Sequence, residues 1–389
     1  MHPRLWYFDI IYKIPIQPRN AIHRAWIFII QTETFVTECQ KCDVLPLPLP
    51  QQGRLYVWPP VNHTAAKIVA QMRKTGHQAE ANPAMSIIYA DFNARSLPIM
   101  MQALDGVLLP EEADDTKALI MENTDEPGVN DIARVTSVAA IHARIGARWL
   151  TGVLGENRLR SVFQPIFAIH DFKKPHAHEC LIRAVDDQGA IISPDRLFGA
   201  AKSADLLFQL DRAARAANVR NAFAAGIDNV FINFTPSSIY DPNSCLRSTI
   251  QVINECGFDR SKVVFEVIET DKVSSVDHLR AILKSYRDSG FRVALDDVGS
   301  GYSTLNMLSQ LRPDIIKIDR ELIDRVDEDI YKQAIVSKLI DLAKQIGIEV
   351  VAEGIERQQE LDFLVDRGVD YVQGFLLGRP AATRFEAAA

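Results

Sequence analysis

The sequence predicts an α/β protein in which a (β/α)8 TIM-like barrel follows a small α+β domain. The barrel is indicated by eight short apolar runs that alternate with helical stretches over about 225 residues, beginning near residue 158. Six of these runs end in a polar residue, and the helical stretches between them are followed by glycine, which favours helix C-termini. A doubly wound open sheet is the alternative, but it normally contains fewer strands.

Predicted strands and helices alternate throughout this region. The strands are Phe163–Ile169, Glu179–Val185, Val230–Asn233, Val263–Glu266, Val293–Asp297, Ile315–Lys317, Val350–Glu353 and Tyr371–Gln373. The helices include Arg196–Ala225, Ser275–Ser289 and Asp327–Ile346. This rhythm and the total length match a barrel of eight repeating units.

Upstream of residue 158 the elements are shorter and less regular. Residues 1–30 show no clear element and are treated as an N-terminal extension, and residues 31–125 are predicted to form a small α+β regulatory domain. An apolar stripe from Thr136 to Leu159 predicts one long helix that connects the two domains within residues 126–157. The elements predicted for the small domain are Leu55–Trp58, His63–Thr75, Ile87–Ala90 and Pro110–Glu122.

The composition limits the partners and the compartment. Lys and Arg total 43 against 50 Asp and Glu, so the net charge of −7 does not favour a nucleic acid polymer or an anionic membrane as partner. The longest apolar run near the start, Trp26–Ile30, is far below the roughly 20 residues that a membrane helix needs. Five cysteines are few for 389 residues and favour a reducing compartment, so we expect a cytoplasmic protein.

Polar residues at the ends of the predicted strands are the candidates for function. In barrels of this kind the carboxyl ends of the strands meet around one mouth, where catalytic groups stand. Glu179 lies early in its predicted strand and fits this rule only if one of the first two strands runs against the others. The residues expected at the mouth are Asn233, Glu266, Asp296, Asp297, Lys317, Glu353 and Gln373.

The expected mouth is strongly acidic, with Lys317 as its cation. Like charges ~4 Å apart repel by about 4 kcal/mol per pair at an effective dielectric of 20, so crowded carboxylates bind protons or cations. Oxygen ligands favour Mg²⁺ or Mn²⁺ over Zn²⁺, and two such ions clamp the attacking and leaving oxygens of a phosphate ester. The residues therefore predict metal-dependent phosphodiester hydrolysis, in which Lys317 orients the attacking water or stabilises negative charge. The converging acids are Glu179, Glu266, Asp296, Asp297 and Glu353.

Simpler explanations apply to these residues one at a time. A single Asp or Asn at a strand end is more often a helix cap or a turn former than a metal ligand. Lys317 has Asp314 and Asp319 as alternative partners, and Glu179 can pair with Arg183 on the same strand face. A buried acidic ring without a cation is costly, which argues against these explanations for the whole set.

A separate, weaker site hypothesis concerns Cys39 and Cys42, which have the spacing of a zinc or redox pair. A tetrahedral zinc site needs two further ligands, and no second cysteine pair is close in sequence. No histidine is close in sequence either, and His63 and His77 are possible ligands from further along the chain.

Eight short motifs of the barrel region occur in a characteristic order. They are Phe163-Gln-Pro-Ile166, Glu179-Cys-Leu-Ile-Arg183, Asn233-Phe-Thr235, Glu266-Val-Ile-Glu269, Asp296-Asp-Val-Gly-Ser-Gly-Tyr302, Lys317-Ile-Asp319, Ala352-Glu-Gly-Ile-Glu356 and Gln373-Gly-Phe375. Together they resemble the signatures of EAL-domain phosphodiesterases over about residues 158–383. That family hydrolyses the bacterial second messenger cyclic di-GMP to linear pGpG, in a (β/α)8-like barrel with an antiparallel first strand. Its members commonly form homodimers.

The resemblance implies a role for each matching residue. Two Mg²⁺ or Mn²⁺ ions would be held by Glu179, Asn233, Glu266, Asp296 and Asp297, with Lys317 and Glu353 as the catalytic residues. Substrate contacts would come from Gln164, Leu181, Arg183 and Gln373. Glu269 would anchor the loop that follows the two aspartates, and Glu356 would be a further active-site residue.

Three residues depart from the family's usual pattern. Cys180 replaces the alanine of the Glu-Ala-Leu tripeptide and is expected beneath the ligand, Val298 stands where Phe is usual, and Ala184 stands where Trp often follows the arginine. None of these changes removes a charged or metal-binding group. We therefore expect an active cyclic di-GMP phosphodiesterase. The alternatives are a receptor that binds cyclic di-GMP without hydrolysing it and a barrel that acts on another phosphodiester.

Overall fold

The computed structural model of the chain describes residues 49–82, 86–122, 125–268, 276–299 and 304–385. All of them belong to one compact unit, Glu38–Ala389. Residues 1–30 and the candidate site residues Cys39, Cys42 and Glu269 lie outside the described part of the chain. Among the described helices, none has both the length and the apolar composition needed to cross a bilayer.

The first part of the described chain is an antiparallel five-stranded sheet with helices packed against it, which confirms the predicted small α+β region. The strand order is β2-β3-β1-β4-β5, and buried Leu55, Ile68 and Met100 belong to its core. The strands are β1 Gln52–Trp58, β2 Ala79–Asn82, β3 Ile87–Asn93, β4 Lys117–Met121 and β5 Thr136–Ser137. The helices are α1 Asn62–Lys74, α2 Ser96–Asp105 and α3 Pro110–Asp115, with a 3₁₀ turn at Val129–Arg134.

The predicted helix Pro110–Glu122 is wrong in its second half. Helix α3 ends at Asp115, and the residues that follow form β4, which pairs with β1 from Arg54–Met121 to Trp58–Lys117. The cause is burial, because the four residues from Ala118 to Met121 are all buried on the two faces of the sheet. A helix at the edge of a domain would expose part of that run.

The connection between the two regions is two helices, α4 Val138–Gly146 and α5 Arg148–Gly155, rather than the one long helix predicted. The break is at Ala147, and Ser137 caps the start of α4 through its side chain. Ile141 of α4 packs into the core of the small region. Leu150 of α5 packs with the first helices of the barrel. The apolar stripe is therefore divided between two cores, and the chain bends where it changes from one to the other.

The remaining chain forms a closed eight-stranded barrel, as predicted. The order β6-β14-β13-β12-β11-β10-β9-β7 closes through β6–β7, and β6 is antiparallel to both neighbours. Predicted helix 196–225 is two helices, separated where Asp205 has a left-handed φ of +55°. The barrel strands are β6 Leu159–Ala168, β7 Ala177–Val185, β9 Val230–Asn233, β10 Val263–Ile268, β11 Arg292–Val298, β12 Ile315–Ile318, β13 Glu349–Ala352 and β14 Tyr371–Val372. A further short strand, β8 Ile191–Ile192, pairs with β7 outside the closed barrel. The helices are α6 Pro194–Ser203, α7 Leu207–Ala224, α8 Pro242–Cys245, α9 Arg247–Cys256, α10 Val276–Asp288, α11 Thr304–Leu311, α12 Arg320–Ile323, α13 Ile330–Ile346 and α14 Gln358–Arg367, with 3₁₀ turns at Pro236–Ser238 and Arg260–Lys262.

Glu179 reaches the mouth for a different reason from the one expected. It lies on β7, which is parallel to β9, so the direction of its strand does not explain its early position. The ladder between β7 and β9 extends only from His178–Val230 to Cys180–Ile232, and the rest of β7 continues past the barrel rim in its pairing with β6. Glu179 is therefore close to the end of the part of β7 that belongs to the barrel wall.

Glu360 fixes the loop between β13 and α14, which borders the mouth. Its side chain is completely buried, and its Oε2 accepts hydrogen bonds from the backbone N–H groups of Glu356 and Arg357, both at 3.0 Å. Its Oε1 accepts from the backbone N–H of Arg325 at 2.9 Å. One carboxylate thus holds three backbone donors from two loops.

We predict that Glu360→Ala lowers the free energy of unfolding by about 2–3 kcal/mol, because it leaves backbone donors without an acceptor. Urea titration monitored by circular dichroism measures the loss. Asp362→Ala is the matched control, since Asp362 lies on the same helix and accepts an exposed side-chain hydrogen bond from Gln358. An equal loss in the two variants would contradict the role given to Glu360.

Candidate active site

The alternation of strand residues between the two faces of the barrel wall builds the site. A layer of inward-facing apolar residues fills the barrel, made up of Ile166, Ala177, Phe231, Val264, Ala294, Ile315 and Val351, with Tyr371 packed against it. On the parallel strands, the residue two positions after each of these is polar, and it is the next inward-facing residue toward the mouth. On antiparallel β6 the equivalent residue, Gln164, comes two positions before Ile166. The residues on the parallel strands are Glu179, Asn233, Glu266, Asp296, Lys317, Glu353 and Gln373.

Lys317 lies at the centre of this ring and is 1% exposed. Its Nζ is 2.5 Å from Glu353 Oε1 and 2.7 Å from Glu266 Oε1. It is also 3.2 Å from Asp296 Oδ1 and 3.6 Å from Glu179 Oε2. One buried cation thus faces four carboxyl groups, so the ring carries an excess of negative charge whenever more than one of them is ionised.

Three of these carboxyl groups have raised pKa values, and burial is the largest cause. Burial raises the pKa values of Glu266 and Glu353 well above the usual range and raises that of Asp296, and the charges of neighbouring carboxylates act in the same direction. Lys317 opposes the shift in all three cases. Its attraction does not outweigh the loss of water around three buried acids.

Two amides orient Glu179 at the rim of the ring. The Asn233 side-chain nitrogen donates to Glu179 Oε1 at 3.1 Å, and the Gln373 side-chain nitrogen donates to Oε2 at 2.8 Å. Because each amide uses its nitrogen for this contact, its oxygen is the atom left to face a cation or a substrate. The buried Gln373 Oε1 accepts no hydrogen bond within the described structure.

Asp297 departs from the inward and outward alternation. The pairing of β11 with β12 shifts register between Leu295 and Val298, and Asp297 has a left-handed φ of +54°. Its backbone N–H donates to Asp296 Oδ1 at 3.0 Å. Burial raises the pKa of Asp297 to about 7, with further contributions from the charges of Asp296 and Asp319. The bulge places two consecutive carboxyl groups at the mouth instead of one.

The donor set fits hard divalent cations. Oxygen atoms of Asp296, Asp297 and Glu353 all lie within 4.8 Å of one another. Both carboxylate oxygens of fully buried Glu266 accept no hydrogen bond within the described structure, although Oε1 is paired with the Lys317 charge. Such groups are costly unless a charge compensates them, and carboxylate and amide oxygens are the ligands that Mg²⁺ and Mn²⁺ prefer.

A cleft of about 210 Å³ opens onto this ring. Glu356 lies on its wall and accepts from Arg320 at 2.9 Å. Leu181 and Arg183 lie further along the same face of β7, with the Arg183 guanidinium 2.7 Å from the Ile182 carbonyl oxygen. The cleft is lined by Gln164, Glu179, Arg320, Glu353, Gly354, Glu356, Gln373, Gly374 and Phe375.

Arg320 and Gly354 are members of the cleft wall that the sequence analysis missed. Gly354 has a left-handed φ of +69°, and a Cβ there would lie 2.4 Å from Arg320 Cγ, so glycine lets the arginine stem cross it. Arg320 directly follows the Lys317-Ile-Asp319 motif, so its nearness to the strand end was the available signal. It is the cation on the cleft wall, paired with Glu356.

Cys180, which was expected beneath the ligand, faces away from the cleft. It is 1% exposed and packs with Phe163 and Ile232 in the layer between the barrel wall and the helices. Glu179 and Leu181 flank it in sequence and therefore point to the opposite face of β7. The replacement of alanine by cysteine changes the packing behind the wall, not the surface of the cleft.

The fold and the ring of polar groups define a barrel protein with an acidic, cation-compatible mouth. The sequence model of the EAL domain family matches residues 147–380. This match covers more than half of the chain, so the protein belongs to the EAL domain family.

Curated and solved proteins provide further comparisons. The chain is 30% identical over 206 residues to cyclic di-GMP phosphodiesterase PdeL of Escherichia coli K12, covering 52% of this chain and 57% of that protein. It is 30% identical over 238 residues to cyclic di-GMP phosphodiesterase NbdA of Pseudomonas aeruginosa, covering 59% of this chain and 30% of that protein. The chain thus spans between about a third and just over half of their lengths.

Among solved structures, a standalone EAL protein from Vibrio cholerae O395 in its c-di-GMP-bound form is 29% identical. It aligns with a TM-score of 0.53 over 59% of this chain and 94% of its own. The PaMucR phosphodiesterase in complex with c-di-GMP is 26% identical, with a TM-score of 0.54 over 60% of this chain and 96% of its own. Both likenesses therefore cover nearly a whole EAL domain and leave much of the upstream chain unmatched.

We predict that metal-free protein becomes less stable as pH rises from about 4 to about 7. The pKa of Asp297 is raised to about 7 in the folded state and returns to its ordinary value of 3.8 on unfolding, so only the unfolded chain loses this proton over most of that interval. Urea midpoints measured in EDTA at pH 5 and pH 7 should fall less in Asp297→Asn than in the unsubstituted protein. An identical fall in both proteins would contradict this assignment.

Proposed function

We propose that this protein is a cyclic di-GMP phosphodiesterase that uses two divalent metal ions and releases linear pGpG. The observation that carries the proposal is the ring of four carboxyl groups around buried Lys317. Support also comes from the curated relatives, which are named as phosphodiesterases of this dinucleotide. Because the chain matches only part of those proteins, the activity of the whole chain is part of the proposal.

In the proposed site the ions are Mg²⁺ or Mn²⁺. When bound, they supply Lewis-acid stabilisation of the charge that develops on the attacking and leaving oxygens. Asn233 contributes its amide oxygen while its nitrogen keeps the hydrogen bond to Glu179. The residues that hold the ions are Glu179, Asn233, Glu266, Asp296 and Asp297.

Lys317 and Glu353 are the catalytic residues of the proposed reaction. With cations at the mouth in place of its proton, Glu353 is an ionised carboxylate and accepts a proton from the attacking water. Lys317, 2.5 Å from Glu353 Oε1, stabilises the negative charge of the phosphoryl group as the ester bond breaks. The water oxygen bonds to phosphorus and the bond from phosphorus to one sugar oxygen breaks. The proton taken up by Glu353 passes to that leaving oxygen, which gives a linear dinucleotide with a terminal phosphate.

The cleft wall orients the dinucleotide. Arg183 neutralises a phosphate and Leu181 packs against a guanine, while Gln164 donates a hydrogen bond near the reacting phosphate and Gln373 presents its side-chain oxygen to the substrate. Glu356 accepts from the polar edge of the substrate or holds Arg320, with which it is paired. The loop-anchoring role of Glu269 remains a prediction from the family resemblance.

The N-terminal region is proposed to regulate the barrel. Residues 31–125 form the regulatory domain, residues 126–157 connect it, and residues 158–383 are the catalytic domain. Helix α4, which shares the core of the small region, also contacts α6 of the barrel. A homodimer is supported by apolar side chains exposed on α13, where Ile330 and Tyr331 are 74% and 78% exposed.

The second candidate function is reception of cyclic di-GMP without hydrolysis. A receptor has no need of the complete acidic ring, whereas this chain brings all four carboxyl groups to Lys317. Hydrolysis is therefore the better-supported function.

We predict that the full chain with Mn²⁺ converts cyclic di-GMP to pGpG, as resolved by chromatography, and that Glu179→Ala abolishes turnover. Glu353→Gln should lower kcat on the order of 10²–10⁴-fold, since it removes the proposed base. Glu349→Gln is the matched control, because Glu349 begins the same strand and pairs with Arg292 at the opposite end of the barrel. Binding of the dinucleotide without turnover would favour the receptor, and an inactive Glu349→Gln would contradict the site assignment.

A further inference from the structure

A buried ion pair lies outside the mouth, in the helical layer behind β9. Arg215 and Asp211 of α7 are 1% and 2% exposed, and Arg215 Nε donates to Asp211 Oδ2 at 2.9 Å. The Arg215 Nη2 atom is also 2.9 Å from Asp211 Oδ2. Arg215 Nη1 donates to Thr249 Oγ1 of α9 at 2.7 Å. Each group of the pair thus has specific partners in a region with little access to water.

Stability alone does not account for this pair. Moving two charges out of water costs about as much as their attraction returns, and well-packed apolar residues often replace such pairs without loss. Neither residue belongs to the ring around Lys317. The remaining oxygen of the carboxylate, Asp211 Oδ1, shows what the pair does, because it accepts a hydrogen bond from the backbone N–H of Thr235 at 2.8 Å.

Thr235 lies two residues after Asn233, in the turn that ends β9. On one side the turn is bound to β10, because the Phe234 N–H donates to the Glu266 carbonyl oxygen at 3.1 Å. On the other side it is bound to α7, because the Thr235 N–H donates to Asp211. The two residues directly after Asn233 are therefore both fixed by backbone hydrogen bonds, and the side chain of Asn233 donates to Glu179 at 3.1 Å.

We propose that Asp211 is a positioning residue for the metal site, and that Arg215 keeps its carboxylate correctly oriented. Through Thr235, Asp211 fixes the end of β9 so that the Asn233 amide oxygen faces a divalent cation. The inference rests on the proposed metal site. Groups that orient metal ligands from outside the coordination sphere typically contribute 10–100-fold to metal affinity.

The test is direct titration of the metal-free full chain with Mn²⁺, followed by the electron paramagnetic resonance signal of free Mn²⁺. We expect Asp211→Ala and Arg215→Met to raise the dissociation constant about 10–100-fold. Asp211→Asn should recover part of this loss, because it keeps an oxygen that can accept from Thr235. We also expect Asp211→Ala to lose turnover at low Mn²⁺ and to recover it at saturating Mn²⁺. A variant with a general loss of structure would not recover.

Val219→Ala is the matched control for stability. Val219 lies on the same helix one turn later and is completely buried, so its truncation weakens the packing of α7 without touching the hydrogen bonds. We expect a lower melting temperature and an unchanged Mn²⁺ affinity. If Asp211→Ala does not fold, Arg215→Met and Asp211→Asn decide the outcome.

Two results would overturn the inference. One is Mn²⁺ affinity of the folded Asp211 and Arg215 variants equal to that of the unsubstituted protein. The other is a Val219→Ala variant that loses as much Mn²⁺ affinity as they do. Failure of the proposed function gives a different result. Unsubstituted protein that binds Mn²⁺ but leaves cyclic di-GMP intact would refute hydrolysis, and the comparison of Mn²⁺ affinities between the variants would still stand.

Discussion

The contact of one lysine ammonium with four carboxyl groups is the interaction on which the rest of the site depends. Lys317 is completely enclosed, and without its charge the acids around it would face one another across a few ångströms of low-dielectric interior. Even with the lysine charge present, the ring contains more acidic groups than basic ones. Burial raises the pKa values of Glu266 and Glu353, and repulsion between the carboxylates adds to the effect. Cations that bind among these carboxyl groups reduce the excess of negative charge and therefore stabilise the folded protein.

The alternation of residues along the barrel strands explains why so much of the site could be predicted from the sequence. In a barrel, inward-facing residues alternate with outward-facing ones, so a polar residue two positions beyond an apolar inner residue must face the mouth. Val264 and Glu266 show the pattern, as do Ile315 and Lys317. The apolar runs therefore revealed both the strands and the level at which the chemistry begins. The antiparallel direction of β6 reverses the rule, and only the family resemblance indicated Gln164.

What the sequence did not predict depends on contacts between distant segments. The break at Ala147 arises because α4 and α5 pack into different cores, which a continuous apolar stripe does not reveal. The strand β4 was hidden within an apparent helix because its partner, β1, lies about 60 residues earlier. The burial of Asp211 with Arg215 has no local signal either, since charged residues four apart on a helix usually mark an exposed face.

Asp297 is the carboxyl group at the mouth that the alternation cannot place, and its position has a conformational and an electrostatic cost. A bulge and a left-handed backbone together bring it beside Asp296, and each is less favourable than continuing the strand. The carboxyl group so placed has its pKa raised to about 7 by burial and by its acidic neighbours, so the cost is electrostatic as well as conformational. A regular strand would have avoided both costs by directing this residue away from the mouth. The arrangement is favourable only if something at the mouth attracts a second carboxylate, and a pair of divalent cations has that property.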